Sequence, residues 1–390
     1  MLGAGLSGLT AAHLLSTVEG TAVDVFEARR VPGGRANVED GGEHCQRLFL
    51  ADYQMLLPLL EEIPHADGRS VRDCLVPMRR FARAPTLGWI EISHHYSMIA
   101  SEISLLEKLR MARASRRSIL LARHLRGPNT NFLGAPKNKY SLRSKFAVLS
   151  AFLRRQDAFS LPGPTDEYFI DPWVRLLSSR GANFHLASAV ERIIFREHSV
   201  ELLVGGRRER FDAVISTLFV SSLRTLLDQS DIAHSLPRSE HAHCACFTIH
   251  FDPAERSPRT STQGLYTHQG INIMVQPKVG RCTALCIRTP RSDEGWVLSR
   301  VAEMLELSHS VAAVRHRANT AADEALFIGD HVRRDRVFAG AQPGRFQVAG
   351  SWIRDDYPVD SGESATLSAF ESVRAICRSL GLEPPLRPGG

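Results

Sequence analysis

The beginning of the chain changes from a helical to a strand-like pattern of hydrophobic residues. Apolar side chains recur at helical spacing from Leu6 to Leu15, which predicts an amphipathic helix. The stretch "TAVDVFEA" that follows predicts a buried strand ending at Glu27. Only Met1 and Leu2 precede the first glycine, where a dinucleotide fold needs a central strand of about five residues. We expect either a start site placed inside this strand or a naturally short strand, and we favour the first.

Two later regions predict further strands. The run from "DPWVRLL" to "DAVISTL" indicates a helix, a strand, a second strand, a turn and a buried third strand. The stretches "HAHCACFTIHFDPAE", "GLYTHQGINIMVQP" and "RCTALCIRTP" predict three strands separated by turns.

The glycine loop before the first helix fits the pattern G-x-G-x-x-G. Its glycines permit a tight turn, a close approach of the backbone to a pyrophosphate, and packing of helix on strand. The helix N-terminus offers free N–H groups to phosphates, and Glu27 stands where an acidic residue binds ribose hydroxyls. The alternative is a surface loop followed by an ordinary helix. The candidate cofactor-binding residues here are Gly3, Gly5, Leu6, Ser7, Gly8, Glu27, Ala28 and Arg29.

The segment after this strand extends the pattern. Gly33, Gly34 and Arg35 follow Glu27, and a second glycine pair, Gly41-Gly42, leads into "EHCQRLF". With this spacing the chain resembles the flavin amine oxidase and phytoene desaturase superfamily, most closely its squalene-associated and carotenoid desaturase branch. The resemblance implies that Arg35 reaches the phosphates of FAD and that the second glycine pair lies near the flavin ring.

The C-terminal region resembles the last FAD motif of that family. An apolar strand over 346–349 leads to Gly350 and Ser351, and Glu363, Ser364 and Ala365 open a helix. The resemblance implies that the helix N-terminus points at the flavin. Ser351 stands where the family has an acidic residue, and Ser364 and Ala369 replace two glycines. We expect weaker FAD binding or a shifted helix from these changes.

A third match lies between the other two. In the family, the backbone of a valine that follows the pattern "G-A-x-hydrophobic" contacts the adenine of FAD. Val190 matches this valine, so the resemblance implies the same contact for it. The predicted fold is α/β: a Rossmann-type, glutathione-reductase-like FAD-binding domain with an inserted α+β substrate domain. We expect the FAD-binding domain to comprise 1–70, 160–228 and 325–390, and the substrate domain 71–159 and 229–324.

Composition limits the remaining possibilities. The net charge of +6 comes mostly from arginine, without the interleaved aromatic and basic residues of a nucleic-acid reader, so no nucleic-acid partner is expected. Alternation splits the His and Cys residues of 241–250 between two faces of a strand, so no metal is expected. The seven cysteines, without C-x-x-C, and the lack of a leader or spanning segment favour a reduced, cytoplasmic protein.

Residues 101–127 predict a basic amphipathic helix for peripheral membrane contact, with a solvated helix as the alternative.

The implied chemistry is FAD-dependent dehydrogenation of a hydrophobic small molecule, in terpenoid or other specialised metabolism. His44, beside the second glycine pair, is the candidate catalytic base, and the alternative is a histidine that bonds locally. Trp352 is expected to lie against the flavin ring. Amine oxidases of the family often place a lysine near the flavin, and Lys278 is the one lysine positioned for that role. Because the chain offers only this candidate, C–C dehydrogenation is favoured over amine oxidation. The alternatives are an amine oxidase, a flavin-dependent isomerase or cyclase without net redox change, and a non-enzymatic protein that keeps the fold.

Overall fold

The structure is a computed structural model, and it describes a defined set of residues. These are 1–84, 88–91, 157–238, 241–252, 257–268, 271–287, 293–307, 311–319, 326–327, 331–339, 344–354, 357 and 360–389. The predicted basic helix 101–127 lies outside them. Within the described residues, no helix combines the length and the apolar character that a membrane span requires.

Seven α-helices occur in the described part of the chain. They are α1 (Leu6–Leu15), α2 (Leu56–Glu61), α3 (Val71–Cys74), α4 (Asp171–Ser179), α5 (Val220–Gln229), α6 (Glu294–Leu305) and α7 (Gly362–Leu380). Short 3-10 turns cover Gly34–Ala36, Pro277–Val279 and Arg334–Arg336, and a π-helical turn over Asp166–Ile170 leads into α4.

The strands of the first half are short. They are β1 (Asp24–Phe26), β2 (Val38–Glu39), β3 (Gly42–Glu43), β4 (Phe49–Leu50), β5 (Val76–Pro77), β6 (Arg79–Ala84), β7 (Gly88–Glu91), β8 (Ala158–Ser160) and β9 (Asn183–His185). Those of the second half are β10 (Val190–Phe195), β11 (Val200–Val204), β12 (Arg207–Phe211), β13 (Val214–Ser216), β14 (His241–Ala242), β15 (Cys244–His250), β16 (Gly264–His268), β17 (Ile271–Gln276), β18 (Arg281–Ile287), β19 (Ala313–Asn319), β20 (Leu326–Phe327) and β21 (Phe346–Val348).

A parallel sheet forms one layer of the fold, which we call the dinucleotide layer after its predicted role. β1 pairs with β9 and β13 pairs with β21, both in parallel. Leu2 bridges both β1 and β13, so it joins the two pairs into one sheet. This is the predicted Rossmann-type α/β layer. A three-stranded antiparallel sheet, β10-β11-β12, follows β9 along the chain.

The central position of the parallel sheet is filled by the first residues of the chain. The Leu2 amide donates to the carbonyl of Ile215 (2.9 Å), and the Leu2 carbonyl accepts from the Thr217 amide (2.8 Å). On the other side, the Gly3 amide donates to Phe26 (2.8 Å) and the Phe26 amide to Met1 (2.9 Å). The Leu2 side chain is fully buried. Three residues therefore make the ladder bonds of a central strand before the glycine loop turns away.

A second sheet has seven strands, and we call it the substrate sheet after the predicted substrate domain to which its strands belong. Its order is β19-β15-β18-β17-β16-β6-β7. Neighbouring strands are antiparallel except β6 and β16. The predicted strand "GLYTHQGINIMVQP" is in fact the hairpin β16-β17, because the stretch exceeds the usual strand length and folds back on itself. α6 packs on one face of this sheet.

A buried polar network joins the substrate sheet to the rest of the chain. The Glu43 carboxylate in β3 accepts from Arg281 Nη2 (2.8 Å), and from the amide (2.9 Å) and hydroxyl (2.7 Å) of Thr165. Arg281 Nε donates to Gln276 Oε1 (2.8 Å), whose amide nitrogen donates to the carbonyls of Leu161 and Gly163. Because each buried group has a partner, the network fixes how the substrate sheet meets the dinucleotide layer.

Behind the parallel sheet, α1 packs against α7 and α4. Here the buried His13 ring lies between Trp173, whose Nε1 donates to Nδ1 (3.1 Å), and Glu62, whose Oε2 is 2.9 Å from Nε2. An indole nitrogen only donates, so Nδ1 accepts, while Nε2 faces both Glu62 and Arg180, whose Nη1 lies 3.1 Å from it.

Candidate cofactor and active site

A cavity of about 420 Å³ opens between the glycine loop and the substrate sheet. Fourteen of the residues predicted from sequence line it. They are Gly3, Gly5, Leu6, Ser7, Glu27, Ala28, Arg29, Gly33, Gly34, Arg35, His44, Gly350, Ser351 and Ala365. Residues from both ends of the chain therefore meet at one site.

The glycine loop has the close packing that its sequence pattern predicts. A Cβ on Gly8 would lie 2.0 Å from the Gly3 carbonyl oxygen, so α1 can pack this closely on the loop only with glycine there. Gly3 has a φ of +96°, in the region that favours glycine. The N-cap of α1 is Gly5, and no side chain caps this helix. The first-turn N–H groups of α1 are therefore available to an anion in the cavity.

Glu27 follows β1 directly, at the edge of this loop. Its Oε2 accepts from the Ala4 amide (2.8 Å) and its Oε1 from the Arg29 amide (2.9 Å). The carboxylate thus shapes the glycine loop as well as lining the cavity, and each oxygen keeps a lone pair for a ligand hydroxyl.

Arg35 occupies the wall next to the glycine loop. Its Nη1 and Nη2 donate to the two carboxylate oxygens of Asp360 (2.6 and 2.7 Å), and Nη2 also donates to Ser351 Oγ (2.8 Å). The guanidinium lies over the Phe219 ring, 4.8 Å from its centroid. Asp360 and Phe219 also line the cavity, and sequence reasoning missed both.

The residues that depart from the family motif make local bonds. The Gly350 amide donates to Ser368 Oγ (2.8 Å), and Ser364 Oγ donates to the Ser351 carbonyl (3.2 Å). Ser364 is therefore a tether between α7 and the segment that follows β21. Ala369 is fully buried in the core beside them.

Glu363 faces away from the cavity. Its carboxylate accepts from the backbone amides of Gln54 (2.8 Å), Met55 (2.9 Å) and Leu56 (2.9 Å) at the start of α2. Burial raises the pKa of this carboxyl group, and the three amide bonds oppose that shift. Glu363 thus holds α2 against α7.

The opposite wall of the cavity runs from His44 to Leu50. The His44 ring is buried, and its backbone carbonyl accepts from Asn319 Nδ2 in β19 (2.7 Å). Cys45 packs against Cys244, Cys246 and Leu285 on the face of the substrate sheet opposite α6. This wall gives the cavity its apolar surface.

Several predicted residues lie outside the lining. Gly41 lies in the turn between β2 and β3 and Gly42 opens β3, and a Cβ on either would lie 3.6 Å from Arg315 or Arg317 of β19. Val190 opens β10 and pairs with Val204. Lys278 lies 5.4 Å from the centroid of the Tyr168 ring. Gly8, Glu363 and Ser364 also lie outside the lining, whereas Trp352 belongs to it.

The cysteines and one surface group bear on metal binding. Burial raises the pKa of both Cys244 and Cys286 to about 12, which keeps these thiols protonated. Within the described residues, His65, Asp67 and Cys74 bring one potential ligand atom each within 4.8 Å of the others. Asp67 is bonded by Arg69 (2.7 Å), and burial raises the pKa of the Cys74 thiol. The group lies away from the cavity.

Comparisons with known proteins agree with this architecture. Residues 2–55 match the family described as an NAD(P)-binding Rossmann-like domain. No curated protein matches the chain. An oxidoreductase from Methanosarcina mazei shares 17% identity at a TM-score of 0.64, with 95% of this chain and 98% of that one covered. Cyclohexylamine oxidase from Brevibacterium oxydans shares 14% sequence identity at a TM-score of 0.61, with 97% of this chain and 98% of that one covered.

A further similar structure is covered over a smaller share of its own chain. The Diels-Alderase PyrE3 of pyrroindomycin biosynthesis shares 13% identity at a TM-score of 0.52, with 98% of this chain and 66% of that one covered. The chain therefore has the fold of the FAD-dependent oxidases. At these identities the likeness concerns the fold alone.

Proposed function

We propose that the protein is an FAD-dependent oxidoreductase that dehydrogenates a hydrophobic small molecule. The observation that carries this proposal is the convergence of the uncapped α1 N-terminus, Glu27 and Arg35 on one side of a cavity whose other side includes Leu48, Phe49 and Leu285. When bound, FAD would supply a two-electron acceptor for a hydride.

The residues present fit such a dinucleotide. The N–H groups of α1 and the guanidinium of Arg35 suit a pyrophosphate, and Glu27 suits ribose hydroxyls. The absence of a Cβ at Gly8 preserves the close packing of the loop. The Arg35–Asp360 pair holds the guanidinium at the cavity wall before any ligand arrives.

The other wall would bind and enclose the substrate. Leu48, Phe49 and Leu285 offer apolar surface and exclude water from the cavity. His44 is our candidate for the group that takes a substrate proton, because its buried imidazole lines the cavity.

Two other activities have separate support. Likeness in fold to cyclohexylamine oxidase favours amine oxidation, but Lys278 lies outside the lining. Likeness in fold to the Diels-Alderase favours a cyclase or isomerase without net redox change, and the altered residues Ser351, Ser364 and Ala369 fit a changed flavin site. Consumption of an electron acceptor during turnover separates the redox activities from the non-redox one.

The cofactor itself is tested by purification and one pair of variants. We expect a yellow protein that releases FAD and no FMN on denaturation. Gly8→Ala should lose FAD, because its Cβ would collide with the Gly3 carbonyl, whereas Gly344→Ala places a Cβ in open space and should retain it. Circular dichroism on both variants checks that the fold is kept. Release of FMN alone, or equal FAD content in the two variants, would contradict the assignment.

A further inference from the structure

Arg47 differs from the other arginines of the cavity. Arg35 pairs with Asp360, while Arg29 and Arg317 each lie 3.7 Å from Glu39. In the described part of the chain, no carboxylate lies within ion-pair distance of Arg47. Among the described residues that line the cavity, Arg47 is therefore the cation without an acidic neighbour.

The hydrogen bonds of Arg47 leave much of its guanidinium unused. Nη2 donates to the backbone carbonyl of Arg35, and Nη1 contacts Cys45 Sγ at 3.3 Å. Its Nε is buried and, among the described residues, has no acceptor. A buried cation without an acidic partner costs free energy, and an anionic ligand at the remaining N–H groups of Nη1 and Nη2 would offset the charge.

Arg47 belongs to the wall that meets the substrate sheet. The adjacent Cys45 packs on Cys244, Cys246 and Leu285 of that sheet. A small second cavity borders Arg47 together with Gln276 and Thr283 of β17 and β18. The glycine loop and Glu27, which suit the cofactor, belong to the other wall.

We propose that Arg47 binds the carboxylate of the substrate, so that the substrate is a hydrophobic organic acid and not a simple amine. This inference rests on the proposed function, because it takes this part of the cavity as the substrate site. A guanidinium pairs with a carboxylate through two parallel N–H bonds, and the neighbouring Leu48 and Phe49 offer surface for an apolar body.

The test compares an acid with its neutral analogue. The FAD-loaded protein is titrated with benzoate and with benzamide, and binding is followed by the change in flavin absorbance. We expect benzoate to bind at least tenfold more tightly than benzamide, since a charged hydrogen bond is worth about that factor or more. Arg47→Leu should abolish the preference, and Arg47→Lys should retain part of it. Arg345→Leu removes an equal charge outside the cavity and should leave the preference unchanged.

Three results would overturn the proposal. The first is equal binding of benzoate and benzamide by the wild-type protein, which needs no variant to fold. The second is an unchanged preference in Arg47→Leu. The third is a tenfold or larger loss of FAD affinity in Arg47→Leu with the preference kept, which would assign Arg47 to the cofactor. FAD content is measured separately in every sample, so a protein that never binds FAD would refute the proposed function, and calorimetry of the same two ligands would still test Arg47.

Discussion

Arg35 donates two hydrogen bonds to Asp360 across a sequence separation of 325 residues (2.6 and 2.7 Å). The same guanidinium also donates to Ser351. From sequence alone, an acidic residue at position 351 would restore a family contact to FAD. The structure shows that a carboxylate already reaches Arg35 from another part of the chain, so the acidic group at this site comes from position 360.

Ser351→Asp is therefore expected to weaken FAD binding. Two carboxylates would share one guanidinium and would repel each other and the cofactor phosphates. We expect a rise in Kd of about tenfold, or about 1.4 kcal/mol. The double variant Ser351→Asp/Asp360→Asn returns the site to one carboxylate and should recover wild-type affinity. Fluorescence titration of the flavin-free proteins with FAD measures both. Tighter binding by Ser351→Asp alone would show that Asp360 does not fill the acidic role.

Glu27→Ala should affect the protein with and without cofactor. The substitution removes the acceptor of the Ala4 and Arg29 amides, and an unsatisfied buried amide costs about 1–3 kcal/mol. We expect a lower melting temperature of the flavin-free protein as well as weaker FAD binding. Glu191→Ala, at an exposed position of β10, is the matched control. A normal melting temperature with weak FAD binding would limit Glu27 to contacts with the ligand.

Glu43→Gln should destabilise the contact between the substrate sheet and the dinucleotide layer. Arg281 would keep its charge without its buried partner, and breaking such a pair costs about 3–5 kcal/mol. Urea unfolding at pH 7 measures the loss. Glu43→Gln/Arg281→Gln removes both charges and should be more stable than the single variant. If the double variant were the less stable of the two, the charge on Arg281 would not be the cause.

Glu62→Gln should make stability less dependent on acid pH. The hydrogen bond with His13 lowers the pKa of Glu62 below its ordinary value of 4.5. A carboxyl group with a lowered pKa stabilises the folded state above 4.5, and this contribution is lost as pH falls through the lowered pKa. Because Glu62 is partly exposed, we expect a difference of at most about 1 kcal/mol.

The measurement for Glu62 is urea unfolding at pH 7 and pH 3. Wild type should exceed Glu62→Gln in stability at pH 7, and that advantage should be smaller at pH 3. Glu19→Gln, at an exposed position, controls for the loss of a surface charge. An advantage that grows at pH 3 would have the wrong sign for this pair.

The fold was predictable from sequence where local conformation decides it. The glycines of 3–8 and the strand that ends at Glu27 specify a turn, a helix and a sheet within thirty residues. The strand before them was harder to predict, because Leu2 gains its ladder bonds from Phe26 and Ile215 in distant segments.

The site was less predictable, because its chemistry depends on long-range contacts. Asp360 has no motif of its own, and only the fold brings it to Arg35. In the sequence, nothing distinguishes Arg47 from the other arginines. The structure shows that no described carboxylate lies within ion-pair distance of it. Glu363 belongs to a predicted motif, yet its carboxylate binds the start of α2.

The bonds from Glu363 to the start of α2 have a consequence for synthesis of the chain on the ribosome. The amides of Gln54, Met55 and Leu56 leave the exit tunnel 309, 308 and 307 residues before the carboxylate that accepts from them. At about 5–20 residues per second, the delay is on the order of tens of seconds. During that interval the start of α2 lacks the carboxylate that accepts from its amides, so these amides bond to water until Glu363 emerges.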